Sequence, residues 1–226
     1  MTASPMAQHQ PGAQNRPQQT IVENCKNAKS AQEHHPMTLP AWNAAGVLPP
    51  ILPGAEPTGK DRSPYPVDLV TLQDRFATTP ERESVFKGFL KFRAALHAAG
   101  IKQGFQWVNG SFTEDIERLE SRPPHDVDVV TFFFLPDGMT QKEAVQRFAT
   151  LFDRRILKQA YMVDAFFVEL GRPMTESHVT RIAYWYSLWS HRRDGRWKGF
   201  VQLDLNPQED AAARMQMTEH SERNPS

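Results

Sequence analysis

A strongly apolar segment that opens with two aspartates constrains the fold of this chain most. Apart from Asp128 and Thr131, residues 127–135 are all valine, phenylalanine or leucine, which is typical of a buried β-strand. Side chains alternate across a strand, so Asp126 and Asp128 are predicted to share one face. Two neighbouring carboxylates are costly to bury without a counterion, and a divalent cation is the obvious one. The segment therefore predicts a buried strand with a charged site where it begins.

Two further features extend this predicted site. Residues 104–109 are predicted to form a strand that leads into the turn Gly110-Ser111, and Asp164 interrupts the apolar stretch 161–170, which predicts another strand. Neighbouring strands lie about 4.8 Å apart, so Asp164 could join the other two aspartates. The small Gly-Ser turn would let backbone N–H groups and a hydroxyl approach phosphate oxygens.

These residue types suit the chemistry of a nucleoside triphosphate. Such a substrate carries about four negative charges, and two cations about 4 Å apart can bridge the triphosphate and the attacking oxygen. Carboxylates hold such cations. An isolated Asp-x-Asp or Gly-Ser is common by chance, but here the order is strand, Gly-Ser, strand with Asp-x-Asp, helix, and strand with Asp164. An unpaired aspartate in that last apolar strand would be costly, which favours a shared metal site.

Composition excludes several functional classes. The chain has 226 residues with 26 basic and 26 acidic side chains, so no overall charge attracts it to nucleic acid or to anionic membranes. Its only cysteine, Cys25, excludes an intramolecular disulfide and a cysteine-based zinc site. Since neither a signal peptide nor a run of about 20 apolar residues is visible, we expect a cytoplasmic protein without a membrane partner.

The sequence divides into one domain with two tails. Residues 1–38 are rich in Gln, Pro, Asn, Ala and His and are predicted to be a disordered tail, a possible site for a protein partner. Residues 39–206 are predicted to form the domain, in which the proline-rich part 39–60 is an extended strap. Residues 207–226 are predicted to be a C-terminal tail with at most a short helix at 211–217.

Helix caps and periodicity predict the remaining elements. A Thr-Pro start and a terminal glycine indicate a helix over 79–100, and a capping box indicates another over about 140–153. A third helix is predicted over 175–190 and a last strand over 199–205, whereas the acidic connection 113–125 is expected to be mobile. The predicted fold class is α/β (α+β), with a mixed β-sheet flanked by helices.

Three short segments resemble a known group of enzymes. They are residues 107–112 (WVNGSF), 126–130 (DVDVV) and 161–164 (YMVD), and they look like the nucleotidyltransferase superfamily with the polymerase-beta-like fold, in its minimal bacterial branch. Residues 42–50 and 193–203 resemble uncharacterised bacterial proteins of this type that are often met near mobile or phage-defence loci. The resemblance covers roughly residues 40–206.

The resemblance implies a function and a role for each site residue. Asp126 and Asp128 would coordinate two Mg²⁺ ions, with Mn²⁺ possible, while Asp164 would share one ion and help activate the acceptor hydroxyl. Gly110 with Ser111 would hold the triphosphate. The protein would transfer a nucleoside monophosphate from a nucleoside triphosphate, such as ATP, to a protein hydroxyl or an RNA end, in a toxin–antitoxin or phage-defence setting. The long gap between the Gly-Ser turn and the first aspartate departs from the family pattern, as does the lack of a separate helical domain that would read a nucleic-acid acceptor.

Basic and aromatic residues near the C-terminal end leave alternatives open. Lys198 and Arg193 could bind triphosphate or RNA phosphate, but a solvated hairpin tip explains them equally well. Aromatic residues on the helix 175–190, among them Trp185, could stack on a base or could form core packing. Two other functions also remain open: a catalytically inactive module that binds a nucleotide or a partner, and a metal-dependent nuclease. The nuclease fits less well because a Gly-Ser turn suits a triphosphate better than a scissile backbone.

Overall fold

Five strands and seven α-helices make up the part of the chain that the computed structural model describes, residues 39–223, with side chains as far as residue 218. The predicted tail 1–38, with Cys25, lies outside the described residues. In chain order the elements are β1 (Tyr65–Pro66), α1 (Leu69–Phe76), α2 (Pro80–Ala98), β2 (Gly104–Asn109), α3 (Ile116–Glu120), β3 (Val127–Phe133), α4 (Gln141–Arg147), α5 (Arg154–Tyr161), β4 (Val163–Glu169), α6 (Glu176–Trp189), β5 (Val201–Asp204) and α7 (Pro207–Arg223). Short 3₁₀ helices lie at Ser111–Thr113 and Ala149–Phe152.

The strands form one mixed sheet in the order β1-β5-β2-β3-β4. Strand β2 is antiparallel to β3 and β5, whereas β3 is parallel to β4 and β1 is parallel to β5. Side chains of α1, α2, α5 and α7 form the main core with one face of the sheet, and side chains of α6 pack on the other face. This arrangement confirms the predicted α/β fold with a mixed sheet flanked by helices.

Two predicted helix starts are present with their caps. Thr79 accepts a hydrogen bond from the backbone N–H of Arg82 at the start of α2, and Thr140 and Glu143 form the predicted capping box of α4. The helix predicted over 140–153 is divided, however, into α4, which ends at Arg147, and the 3₁₀ helix Ala149–Phe152. A separate helix that was not predicted, α5, begins after Asp153, whose carboxylate accepts hydrogen bonds from two backbone N–H groups.

The segment predicted to be a C-terminal tail forms a 17-residue helix, α7. Ala213 and Met217 contribute to the main core, and the carboxylate of Asp210 lies 2.7 Å from the buried guanidinium of Arg93 on α2. Within residues 39–223, no helix is both long enough and apolar enough to span a bilayer.

The N-terminal strap is irregular, as its prolines predict, and it packs on the domain. Val47 and Leu48 are fully buried. The indole N–H of Trp42 donates to the carbonyl of Thr113 at 2.9 Å, and the N–H of Gly199 donates to the carbonyl of Leu48 at 2.7 Å. The strap therefore supports both the connection after β2 and the entrance to β5.

Candidate active site

Asp128 and Asp164 lie directly beside each other on the parallel strands β3 and β4. Each is the second residue of its strand, and the two are register partners. The residues just before them, Val127 and Val163, are fully buried in the main core, so both aspartates project from the opposite face. Asp126 immediately precedes β3. The prediction that Asp128 and Asp164 lie on neighbouring strands is therefore confirmed.

The Gly-Ser turn lies against the carboxylate of Asp128. Asn109, the last residue of β2, pairs with Asp128 across the sheet, and Gly110 follows with φ +84°, a left-handed conformation that favours glycine. A Cβ atom on Gly110 would lie 2.3 Å from Oδ2 of Asp128. The next residue, Ser111, begins a short 3₁₀ helix, and its hydroxyl has no hydrogen-bond partner among residues 39–218. Glycine at this position is what allows the turn and the carboxylate to meet.

The pKa of Asp128 shows that the three carboxylates act on one another. Burial, and after it repulsion from Asp126 and Asp164, raises this pKa from 3.8 to about 6. Lys198 and Lys158 act in the opposite direction. The carboxylate of Asp128 itself accepts no hydrogen bond from the described side chains or backbone. A cluster of this kind favours the binding of positive charge.

Two cations on α5 neutralise the outer aspartates. Arg154 donates two hydrogen bonds of 2.8 Å to the carboxylate of Asp164, and Nζ of Lys158 lies 2.6 Å from Oδ2 of Asp126. These interactions raise the pKa of both basic groups. The Arg154 and Lys158 side chains are more than half exposed, so such ion pairs are weak and can exchange with other ligands. Neither residue was predicted to belong to the site, because α5 itself was not predicted.

The resemblance implies bound magnesium ions. The aspartates have the right chemistry for these ions, but their side chains are not arranged around a common point. Carboxylate oxygens are the ligands that Mg²⁺ prefers, and the position of Gly110 keeps space beside Asp128. No three histidine, cysteine, aspartate or glutamate side chains of the described chain converge on a point that could hold a metal ion. The reason is that Asp126 and Asp164 are directed to Lys158 and Arg154. Binding of a divalent cation by all three aspartates would therefore require these two basic side chains to move.

A buried ion pair lies behind the Gly-Ser turn. Nζ of Lys198 is 2.5 Å from Oε1 of Glu114, and Arg192 approaches the other oxygen of the same carboxylate at 3.3 Å. Burial lowers the pKa of Lys198, and Glu114 and Asp128 partly offset that shift. The burial of Lys198 shows that it is not part of a solvated hairpin tip, and its role in phosphate binding stays a prediction. Glu114 belongs to the connection expected to be mobile, and the structure instead fixes it in the protein interior.

Arg82 holds the same connection from the other side. Its guanidinium is buried and donates to the carbonyls of Phe112 and Glu114, at 2.7 and 2.6 Å, and to the carboxylate of Glu117. Arg82 lies in the first turn of α2, where an arginine is usually solvated, so its role could not be predicted from the sequence. It supports the backbone that carries the Gly-Ser turn.

Arg193, which the sequence analysis placed with the phosphate-binding residues, is not brought to the aspartates. It is exposed at the tip of the hairpin that joins α6 to β5, and its neighbour Arg192 is the one that reaches Glu114. The structure therefore unites Asp126, Asp128, Asp164 with the glycine turn and Lys198, and leaves Arg193 on the surface.

Comparison with family models gives one result that bears on the whole domain. Residues 40–204 match a family of unknown function (DUF6932). The chain belongs to this family. The match includes the Gly-Ser turn, the three aspartates and Lys198, and it ends with β5, so α7 falls outside it. Comparison with curated proteins and with solved structures finds no match to this chain.

Proposed function

We propose that this protein is a Mg²⁺-dependent nucleotidyltransferase that moves a nucleoside monophosphate from a nucleoside triphosphate to a hydroxyl of a protein or of an RNA end. The observation that carries the proposal is the position of Asp128, which has Asp164 beside it on the parallel strand and Gly110 against its carboxylate. A carboxylate cluster beside a glycine turn is suited to binding cations and a triphosphate together. A toxin–antitoxin or phage-defence setting is part of the proposal and rests on the resemblance alone.

In the proposed reaction the acceptor oxygen attacks the α-phosphorus of the triphosphate. The bond from that phosphorus to the oxygen that bridges to the β-phosphate breaks, pyrophosphate leaves, and the proton of the acceptor hydroxyl passes to a carboxylate of the cluster. Asp126, Asp128 and Asp164 would hold magnesium, which supplies neutralisation of the developing charge.

The surrounding residues of this chain would bind and orient the triphosphate. The backbone N–H groups of the Gly110-Ser111 turn and the hydroxyl of Ser111 would donate to phosphate oxygens. Glu114 keeps the buried ammonium of Lys198 near Asp128, where it adds positive charge behind the turn. Arg154 and Lys158, once displaced from their aspartates, would lie beside the same phosphates and contribute charge.

Transfer of label from a nucleotide tests the proposal. The full chain is incubated with Mg²⁺, cell extract and ATP, CTP, GTP or UTP labelled at the α-phosphate, and a labelled acceptor is expected with at least one nucleotide. Asp128→Ala should abolish labelling. Asp137→Ala, at an exposed aspartate in the loop after β3, serves as the matched control and should label like wild type. Persistent labelling by Asp128→Ala would contradict the assignment of this protein as a nucleotidyltransferase.

A second candidate is a nucleotide-binding module without turnover. The ion pairs Arg154–Asp164 and Lys158–Asp126 favour it, because they satisfy two of the carboxylates without a metal. Calorimetry with nucleotide and Mg²⁺ separates the candidates: binding without labelling in any extract supports the inactive module. Cleavage of labelled RNA or DNA in the same reactions would instead support the metal-dependent nuclease.

A further inference from the structure

The hairpin of residues 191–197, between α6 and β5, presents an exposed tryptophan. The Trp197 side chain is 65% exposed, whereas the other four tryptophans are buried or partly buried. His191 and Trp197 form a backbone bridge at the base of the hairpin, and their rings lie 4.7 Å apart at an interplanar angle of 64°. Because the contact is edge-to-face and most of the indole is exposed, ring surface remains accessible to a ligand.

The same hairpin also exposes two arginines. Arg193 and Arg196 are both exposed on the hairpin. Arg196 pairs with Asp194 of the same hairpin at 3.2 Å, in an ion pair with both side chains largely in solvent, and Arg193 has no ion-pair partner within residues 39–218. A hairpin that exposes an indole and two arginines is suited to single-stranded nucleic acid, because the indole can stack on a base and the guanidinium groups can contact phosphates.

The base of the hairpin is joined to the candidate active site. Arg192 lies 3.3 Å from the carboxylate of Glu114, and Lys198, which directly follows Trp197, lies 2.5 Å from the same carboxylate. Glu114 follows the Gly-Ser turn by three residues, and Gly110 of that turn lies against the carboxylate of Asp128, so the base of the hairpin contacts the segment that carries the turn. A strand bound across Trp197 would therefore lie on a hairpin whose base contacts the segment that carries the Gly-Ser turn.

We infer that this hairpin binds the acceptor, and that the acceptor is a single-stranded RNA. Trp197 stacks on a base near the RNA end, while Arg193 and Arg196 contact the neighbouring phosphates. The identity of this ligand as the acceptor rests on the proposed function, but binding of RNA by the hairpin can be measured without any reaction. A protein acceptor has no repeating anion and base that would match an exposed indole and two arginines, and it is the alternative outcome of the test.

Fluorescence anisotropy of a labelled 12-nucleotide single-stranded RNA of mixed sequence tests the inference with the full chain. Since stacking on one aromatic side chain contributes strongly to affinity, Trp197→Ala should weaken binding about 5- to 150-fold. The double variant Arg193→Gln, Arg196→Gln should weaken binding and reduce the slope of log K against log salt by about 1.4, or about 0.7 for each lost phosphate contact. Met215→Ala, which alters a 66% exposed side chain on α7, is the matched control and should bind like wild type.

The outcomes separate this inference from the proposed function. Wild-type protein that does not bind the RNA, or Trp197→Ala that binds as tightly as wild type, overturns the inference. So does a labelled protein acceptor that Trp197→Ala modifies as well as wild type does. Asp128→Ala should lose transfer and keep RNA binding. If neither wild type nor any variant transfers label, but RNA binding still depends on Trp197, the proposed function is wrong and the RNA-binding surface is supported. Because Arg193, Arg196, Trp197 and Met215 are exposed, unchanged circular dichroism and Tm are expected for the variants at these four positions.

Discussion

Removal of one negative charge at Asp128 should stabilise the metal-free protein. Burial, together with repulsion from Asp126 and Asp164, raises the pKa of Asp128 from 3.8 to about 6, so the folded protein holds this proton more tightly than the unfolded chain does. The ionised form therefore destabilises the folded state. The difference between the two pKa values corresponds to about 3 kcal/mol at a pH above 6, and the penalty vanishes as the pH falls below 4.

Urea denaturation of wild type and Asp128→Asn in EDTA measures this effect. At pH 8 the variant should have the larger free energy of unfolding, by about 3 kcal/mol, and at pH 4.5 the difference should shrink to about 1 kcal/mol. The substitution breaks no hydrogen bond to residues 39–218, so no lost contact masks the gain. Asp137→Asn, at an exposed position, should show no such pH-dependent gain. A variant less stable than wild type at pH 8, or a difference that does not shrink on acidification, would refute the reasoning.

Three further predictions concern the groups around the cluster. Gly110→Ala should destabilise the protein and abolish nucleotide labelling, since the new Cβ would lie 2.3 Å from a carboxylate oxygen. The control Gly138→Ala, with φ +74° but no atom within 4 Å, should cost only backbone strain of about 1–2 kcal/mol. Equal effects of the two substitutions in urea denaturation and in labelling would contradict the argument. Arg82→Met should lower the free energy of unfolding by about 2–4 kcal/mol, because it leaves buried carbonyls unpaired; a change below about 1 kcal/mol would show that they find other donors. Arg154→Gln with Lys158→Gln should increase the rise in Tm caused by Mn²⁺, measured by scanning calorimetry, since it removes the cations that compete for the aspartates; a smaller rise than in wild type would contradict that competition.

The parts of the fold that local rules determine could be predicted from the sequence. The valine and phenylalanine run predicts β3 because burial on both faces needs apolar residues throughout. The Thr79 and Thr140 caps predict where α2 and α4 begin, because a side-chain oxygen there satisfies N–H groups that have no partner within the helix. The prediction of β3 and β4 also allowed Asp128 and Asp164 to meet, provided that the two strands were neighbours, and in the structure they are.

The parts that depend on distant partners could not be predicted. Lys198 and Glu114 are 84 residues apart, and neither sequence neighbourhood shows that they meet in the interior. Helix α7 has a polar sequence, which by itself indicated a tail. It packs on the core with help from the pairing of Asp210 with Arg93, a residue 117 positions away in the chain. Helix α5 is short and strongly basic, and its signal was the single cap residue Asp153. The cations that neutralise the aspartates were missed with it.

The fate of the two ends of a nucleoside triphosphate tests the central claim most directly. Wild type and Asp128→Asn are incubated with Mg²⁺, extract and the same nucleotide, labelled in parallel reactions at the α- or the γ-phosphate. Nucleotidyl transfer predicts that wild type places the α label on the acceptor and releases the γ label in pyrophosphate, and that Asp128→Asn does neither. Appearance of the γ label on the acceptor, or equal transfer of the α label by Asp128→Asn, would contradict the account.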